Sequence, residues 1–245
     1  MKRVADNSGN DGFQCFPLNS ILHMDWQALA LTLKLATVTT AILLAVAVPL
    51  AALLVLGRSR WLAALEALAA LPLVLPPTVL GFFLLVLLGT RTAFGRVLTA
   101  MLGHPLAFSF AGLVVGSVIY SLPFAVQPLV AGFAAIDSSL VDAARLLGAG
   151  PIRLTRTLLV PLARRSLVAA AVLSFLHTMG EFGVVLMLGG DIPGATRTLS
   201  IVLYNQVENF DYAAANRTAA ILLAMSAIAL AAIYLGGRPR GGRRA

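Results

Sequence analysis

The sequence predicts an all-α polytopic membrane protein with five transmembrane helices. Of its 245 residues, 59% are hydrophobic and only 11% are charged, whereas soluble domains carry about 25% charged residues. The mean hydropathy is +0.91, and the apolar residues form runs long enough to cross a bilayer. The net charge of +8 does not indicate nucleic-acid binding, because the arginines lie at the ends of these runs and form no single basic face.

The five spans are predicted at residues 28–56, 62–88, 106–133, 167–188 and 213–235. Each contains at least the ~20 helical residues that are needed to cross the hydrocarbon core. A single segment satisfies its backbone polar groups in a bilayer only as a helix, so the class is all-α. We expect a flexible extracytoplasmic leader at 1–26, a transmembrane domain at 27–236 and a basic cytoplasmic tail at 237–245.

Proline interrupts the first three spans. The residues are Pro49, Pro72, Pro76, Pro77, Pro123 and Pro128. Because proline lacks the backbone donor and clashes with the preceding turn, we expect these spans to bend. Two interpretations remain open: the bends allow neighbouring helices to pack, or they line a pathway.

The distribution of arginine predicts the orientation. One side of the membrane receives eleven residues in or near its loops: Arg58, Arg60, Arg145, Arg153, Arg156, Arg164, Arg165, Arg238, Arg240, Arg243 and Arg244. The other side receives Arg91, Arg96, Arg197 and Arg217, with Lys2 and Arg3 far from the first span. The richer side is predicted to be cytoplasmic, which places the N-terminus outside and the C-terminus inside.

The loop at 136–165 carries the most informative pattern. Asp137 is a suitable N-cap, and the apolar spacing that follows predicts a short amphipathic helix. The Gly148–Pro151 stretch is expected to end that helix and start a second one, which stops at Pro161. From the pattern alone, a helix that rests on the membrane surface is the alternative.

This loop resembles the cytoplasmic motif of ABC importer permeases, E-A-A, three residues, G, nine residues, I-x-L-P. The matching positions are Asp142, Ala143, Ala144, Gly148, Leu158 and Pro161. Asp142 replaces glutamate, Leu158 replaces isoleucine and Val160 replaces leucine. The resemblance implies a MetI-like fold in which these residues form a coupling helix that docks on a separate ATPase subunit. Arg145, Arg153 and Arg156 are either contacts at that interface or only positive-inside charges.

Motifs for chemistry within the chain are missing. Neither Lys2 nor Lys34 lies in a GxxxxGK[ST] phosphate-binding loop. The histidines and Cys15 show no metal-ligand spacing, and no catalytic constellation is evident, so an enzyme is poorly supported. The resemblance implies that ATP and Mg²⁺ are bound by the partner ATPase and that this chain holds no cofactor.

Two further elements resemble the molybdate branch of these permeases. They are Gly180-Glu181-Phe182-Gly183 and Ile192-Pro193-Gly194-Ala195-Thr196-Arg197-Thr198. The resemblance implies import of molybdate, with sulfate and tungstate permeases as close relatives and alternatives. A carboxyl group within a span is a functional candidate by default. Glu181, Gly180 and Gly183 are therefore pathway or gate candidates, with a packing hydrogen bond of Glu181 as the alternative.

The resemblance also implies partners. A homodimer of the chain would enclose the path, and an extracytoplasmic oxyanion-binding protein would deliver the substrate in a prokaryotic cytoplasmic membrane. Arg91, Arg96 and Arg197 are candidates for docking an acidic face of that protein or for attracting the anion. An ion-gradient-driven secondary transporter is the main rival, but the sequence shows no internal repeat and no basic partner for Glu181.

Overall fold

The structure, a computed structural model, describes residues 25–57 and 59–236. Within these ranges the chain forms twelve α-helices and no strand. They are α1 (Trp26–Leu56), α2 (Trp61–Ala70), α3 (Pro77–Leu88), α4 (Ala93–Leu102), α5 (Phe110–Ala134), α6 (Ser138–Leu146), α7 (Pro151–Leu154), α8 (Val160–Leu162), α9 (Arg164–Gly180), α10 (Gly183–Gly189), α11 (Leu199–Glu208) and α12 (Tyr212–Gly236). The predicted tail at 237–245 and nearly all of the predicted leader lie outside the described residues.

Three continuous helices, α1, α5 and α12, are long and apolar enough to cross a membrane. Pro49 lies inside α1, and Pro123 and Pro128 lie inside α5, yet neither helix is broken at these positions. Two bent helix pairs bring the number of spans to five when each pair counts as one. The all-α class agrees with the sequence prediction, and the number of spans reaches the predicted five when each bent pair counts as one. The second of these pairs, Pro151–Leu162 with Arg164–Gly180, begins before the span predicted at 167–188.

The predicted span at 62–88 is a bent pair. The segment Trp61–Leu73, which is α2 and the 3-10 turn after it, meets α3 at 108°. Pro76 has an extended backbone, with φ −57° and ψ 133°, because a residue that precedes a proline is disfavoured in the helical region. The proline pair therefore starts a new helix in a new direction.

The predicted span at 167–188 is also discontinuous. It comprises α9 and α10, and Glu181 and Phe182 between them are not helical. The segment before α9 is bent from it by 83° at Ala163. The second helix of the loop runs over Pro151–Leu162 and ends one residue after Pro161, close to the predicted stop.

The core is centred on α5, where half of the most apolar 18-residue stretch is buried. In α12 only 11% of the corresponding stretch is buried. A first cluster packs the alanine-rich side of α1, including Ala47 and Ala51, against Leu129 and Phe133 of α5. Two further clusters join α10 to α1, α5 and α11, and to α3. The broken spans thus pack against α5 and, through α3 and α10, against each other.

The sequence analysis did not predict two helices, α4 and α11. Both lie in loops at the other end of the bundle from α6. Thr92 caps α4 by accepting a hydrogen bond from the Gly95 N–H at 3.0 Å, and Gly103 ends this helix at φ 78°. The N-terminus of α11 is capped from a distance by Thr32 of α1, whose Oγ1 accepts from the Leu199 N–H at 2.9 Å. This second cap is a tertiary contact, which local sequence signals do not reveal.

Candidate functional site

The first candidate site is the loop that contains α6 and α7. Asp137 caps α6 by accepting a hydrogen bond from the Ser139 N–H at 2.9 Å. This bond holds the pKa of the exposed Asp137 carboxyl below its usual value. Asp142 and Ala143 are both exposed on α6. The start of the loop is therefore fixed locally, and its motif face is open to solvent.

Gly148 makes the turn between α6 and α7. Its φ is +80°, a left-handed conformation that side chains disfavour and glycine adopts readily. The Gly148 N–H donates to the Arg145 carbonyl at 2.9 Å, and the Ala149 N–H donates to the Ala144 carbonyl at 3.0 Å. These bonds satisfy carbonyls at the end of α6 and set the angle at which α7 begins.

The turn presents apolar side chains to solvent. Leu146, Leu147 and Ile152 are 90%, 86% and 76% exposed. By contrast, Leu154 and Leu159 are buried, and Leu159 belongs to the core cluster formed with α1 and α5. Leu158 is half-buried and Pro161 is exposed. Exposed apolar side chains on a hydrogen-bonded turn form a surface that is suited to a protein partner.

Arg145 ties this loop to the end of α1. Its Nη2 donates to the Leu56 carbonyl at 3.1 Å, and its Nη1 lies 3.4 Å from the Asp142 carboxylate. The surface ion pair itself contributes little, at most about 1 kcal/mol. The bond to Leu56 is the informative contact, because it links the loop to a membrane-spanning helix across 89 positions in sequence.

The second candidate site is a cavity of about 470 Å³ between the two broken spans. Its polar lining residues are Thr78 at the start of α3, Tyr120 of α5, His177 of α9 and Glu181 at the break between α9 and α10. Sequence reasoning found only Glu181 of this group. The cavity exists because both spans are interrupted at the same place in the fold.

Glu181 is 5% exposed. Within the described residues, neither oxygen of its carboxyl group has a hydrogen-bond partner, and Arg and Lys side chains form no ion pair with it. The Ser117 hydroxyl lies beside it and, in the part of the chain that the structure describes, is likewise outside hydrogen-bond distance of any partner. A buried polar group without a partner costs about 1–3 kcal/mol. The arrangement therefore carries an unmet capacity for hydrogen bonding.

The orientation of His177 is fixed by its neighbours. Its Nδ1 lies 2.8 Å from the Ser121 hydroxyl, which is itself 3.1 Å from the Thr178 hydroxyl. The ring stacks on Phe124 with centroids 3.8 Å apart and contacts Tyr120 at 4.9 Å. These contacts engage Nδ1 and the ring of His177, and they leave Nε2 as the nitrogen that is not bound by Ser121.

The two glycines beside Glu181 differ in their surroundings. A Cβ on Gly183 would lie 2.9 Å from Pro77 Cβ and 3.2 Å from the Thr78 nitrogen. A Cβ on Gly180 would meet no atom within 4 Å. Gly183 therefore permits α10 to approach the start of α3, whereas Gly180 has no such role.

The loop after α10 is held by its own polar contacts. Asp191 pairs with Arg197 and accepts a hydrogen bond from Asn205 Nδ2 at 2.7 Å. The Thr196 hydroxyl donates to the Gly189 carbonyl at 2.7 Å. Arg197 thus supports the loop conformation. Arg91 and Arg96 are exposed on a different segment, where Arg96 Nη1 donates to the Arg91 carbonyl at 3.2 Å.

Residues 44–237 match the family model described as the binding-protein-dependent transport system inner membrane component. The match covers most of the chain. The chain belongs to this family. It is accordingly a multi-pass membrane subunit of a transport system and not itself an enzyme, in agreement with the sequence interpretation.

Relatives within the family extend over nearly the whole chain. The molybdenum transport system permease protein ModB of Azotobacter vinelandii is 49% identical over 219 residues, which are 89% of this chain and 96% of the relative. The ModB protein of Escherichia coli K12 is 35% identical over 211 residues, 86% and 90% of the two chains. A solved structure of the inward-facing MetNI methionine ABC transporter has a TM-score of 0.69 at 17% identity, covering 87% and 94%. At that identity, the likeness shows the shared fold alone.

Proposed function

We propose that this chain is the membrane-spanning permease subunit of an ATP-driven importer of molybdate. The observation that carries the proposal is the hydrogen-bonded turn at Gly148, with its exposed leucines, in a chain of this family. We name it the coupling turn for its proposed role. The two similar permeases named for molybdenum transport support the substrate. Sulfate and tungstate are the alternative substrates.

The turn formed by Leu146, Leu147 and Ile152 is the proposed docking surface for the ATPase subunit. Buried Leu154 and Leu159 secure its far end, and Arg145 secures it to α1. A movement imposed on this turn by the ATPase would therefore reach two membrane-spanning helices without being absorbed by a loose loop. Asp142 and Ala143 lie exposed on the helix that leads into this turn, and Ala144 beside them is half-buried.

A homodimer is the proposed assembly, with the coupling loop on the cytoplasmic side and the loop at 190–198 outside. The arginine asymmetry supports this orientation. An oxyanion-binding protein would dock on the outer side, where exposed Arg91 and Arg96 provide positive charge. Arg197 contributes to this docking surface mainly by holding the loop, because Asp191 already neutralises it.

Uptake measurements test the substrate. In cells that lack other molybdate transport, expression of the chain with its ATPase and binding protein should restore accumulation of labelled molybdate. Excess tungstate should compete strongly and excess sulfate weakly. Uptake of labelled sulfate that excess molybdate leaves unchanged would contradict the substrate assignment.

Copurification tests the transporter class. The tagged permease should retain an ATPase subunit through detergent extraction, and replacing Leu146 and Leu147 by aspartate should release it. The same pair of changes at Met101 and Leu102, exposed on α4 outside the spans, provides a control on a different apolar surface. A secondary transporter would retain no ATPase and would respond to an ion gradient instead.

A further inference from the structure

An apolar groove lies between the last turns of α1 and the second helix of the coupling loop. Its volume is about 440 Å³, which falls in the range of ~300–1,000 Å³ that is typical of small-molecule sites. One wall is formed by residues at 48–57 and the other by residues at 151–156. Among the described residues that line the groove, Arg156 alone carries a charge.

Contacts within the chain join the two walls of the groove. The Leu56 carbonyl on the α1 side accepts a hydrogen bond from Arg145 Nη2 of the coupling loop at 3.1 Å. Ala52, which lines the groove, belongs to the same buried core cluster as Leu159, which follows the other wall in sequence. The groove is therefore built into the folded chain and is not a gap between loose segments.

Arg156 has no counter-charge in the part of the chain that the structure describes. It lies exposed in a single π-helical turn, Thr155–Leu159, and such turns are frequent at functional sites. The loop at 136–165 contains five arginines and two aspartates. Asp137 caps α6 and Asp142 pairs with Arg145, so neither aspartate neutralises Arg156. The groove thus combines apolar walls with one free cation at its edge.

We propose that this groove binds one anionic phospholipid, with an acyl chain against the apolar wall of α1 and the headgroup phosphate on Arg156. The proposal requires only that the chain spans a membrane, which follows from its family. It is independent of the substrate that the transporter carries. A lipid in this place would brace the coupling loop against α1.

The chemistry of the groove fits an amphipathic anion. The apolar surface of Pro49, Ala52 and Leu53 gains free energy from an acyl chain that displaces water, and a small soluble anion would not provide this gain. The arginine guanidinium binds phosphate through paired, charge-assisted hydrogen bonds. Basic pockets between membrane helices on the cytoplasmic side bind anionic headgroups in the same way.

Two protein occupants compete with the lipid. The ATPase subunit is one, because Ile152 belongs to the coupling turn and also lines the groove. A second copy of the chain is the other, but the two aspartates of its coupling loop are already engaged and would not neutralise Arg156. The phosphate of a lipid provides the missing charge directly.

The test is native mass spectrometry on the complete complex of permease and ATPase. The detergent-extracted complex is titrated with phosphatidylglycerol or with phosphatidylcholine of the same acyl chains. We expect one phosphatidylglycerol per permease chain, bound about fivefold or more tightly than phosphatidylcholine, with the ATPase still in place. Glycerol 3-phosphate, which is a headgroup without acyl chains, should not displace it.

Two pairs of variants test the two parts of the groove. Arg156→Gln should remove the preference for phosphatidylglycerol, whereas Arg164→Gln is the matched control, because Arg164 is exposed at the start of α9 and does not line the groove. Leu53→Trp should fill the apolar part and weaken binding of both lipids about fivefold or more. Ile42→Trp is its control, since Ile42 is exposed on α1 away from the groove.

Four results would overturn the proposal. They are equal affinities of the wild type for the two lipids, equal losses in Arg156→Gln and Arg164→Gln, lipid binding only after the ATPase is removed, and separation of paired permease chains by Leu53→Trp. The third would assign the groove to the ATPase and the fourth to a second copy. The comparison of the two lipids needs only the wild type, so it decides the matter even where a variant fails to fold.

Discussion

Gly180 and Gly183 illustrate at the scale of single residues how the same amino acid serves different needs. Both flank Glu181, and sequence alone gives them equal weight. Only Gly183 is in contact with another element, because its Cα faces Pro77 and Thr78 at the start of α3. The requirement for glycine at 183 comes from a helix that is more than 100 positions away in sequence, so no local pattern reveals it.

Replacing Gly183 by alanine should separate α10 from α3. The added Cβ would lie 2.9 Å from Pro77 Cβ and 3.2 Å from the Thr78 nitrogen. These atoms belong to a proline ring and to the backbone, so they cannot move aside as the end of a flexible side chain could. Overpacking of this kind costs about 1–3 kcal/mol. The thermal unfolding midpoint of the purified protein should fall. Gly180→Ala is the matched control and should leave the midpoint unchanged, since its Cβ meets open space; equal losses in both variants would contradict this account of the contact.

Gly148 and Gly150 form a second matched pair. A Cβ at either position would meet nothing within 4 Å, but φ is +80° at Gly148 and −73° at Gly150. Alanine at 148 should therefore strain the turn by about 1 kcal/mol. We expect Gly148→Ala to reduce uptake per ATP hydrolysed and Gly150→Ala to preserve it. Equal coupling ratios in the two variants would show that the turn geometry does not set the coupling.

At the scale of helices, the sequence predicts where apolar helices lie better than where they break. The five apolar runs can be read directly from the sequence, and the Pro76-Pro77 pair indicates the bend before α3. The break at Glu181 and Phe182 has no proline, and it depends on packing between α9, α10 and α3. Local cap signals at Thr92 and Gly103 could have predicted α4. The cap of α11 by Thr32 could not have been predicted, because its two partners are 167 positions apart.

The Thr32 cap leads to a prediction about how α1 is joined to α11. Thr32→Val should leave the Leu199 N–H buried without an acceptor, because Thr32 Oγ1 is its partner at 2.9 Å. Loss of a cap costs about 0.5–2 kcal/mol. Hydrogen exchange in the first turn of α11 should speed up, and the unfolding midpoint should fall.

Thr37→Val is the control for this prediction. Thr37 lies on the same helix, and its hydroxyl donates to the Leu33 carbonyl of that helix at 2.7 Å. Its replacement should leave exchange in α11 unchanged. Similar acceleration in both variants would mean that the effect arises from α1 itself and not from the lost cap.

For the whole molecule, the end of the bundle that is richest in arginine is also the end proposed to bind the ATPase. The end of the bundle that carries Arg145, Arg153 and Arg156 also carries the exposed leucines of the coupling turn. The opposite end carries the Asp191–Arg197 loop and α4. The cavity lies between them, where the second and fourth spans break. A permease that is driven from one side and loaded from the other needs this polarity.

Two isoleucines at opposite ends of the bundle test the orientation. Ile152 is 76% exposed on the coupling turn, and Ile192 is 41% exposed in the loop after α10. With Cys15 replaced by serine, each is changed to cysteine and treated in spheroplasts with a membrane-impermeant maleimide. We expect Ile192→Cys to react at once and Ile152→Cys to react only after the membrane is opened, because eleven arginines retain that side in the cytoplasm. The reverse labelling pattern would invert the topology and place the coupling turn out of reach of an ATPase.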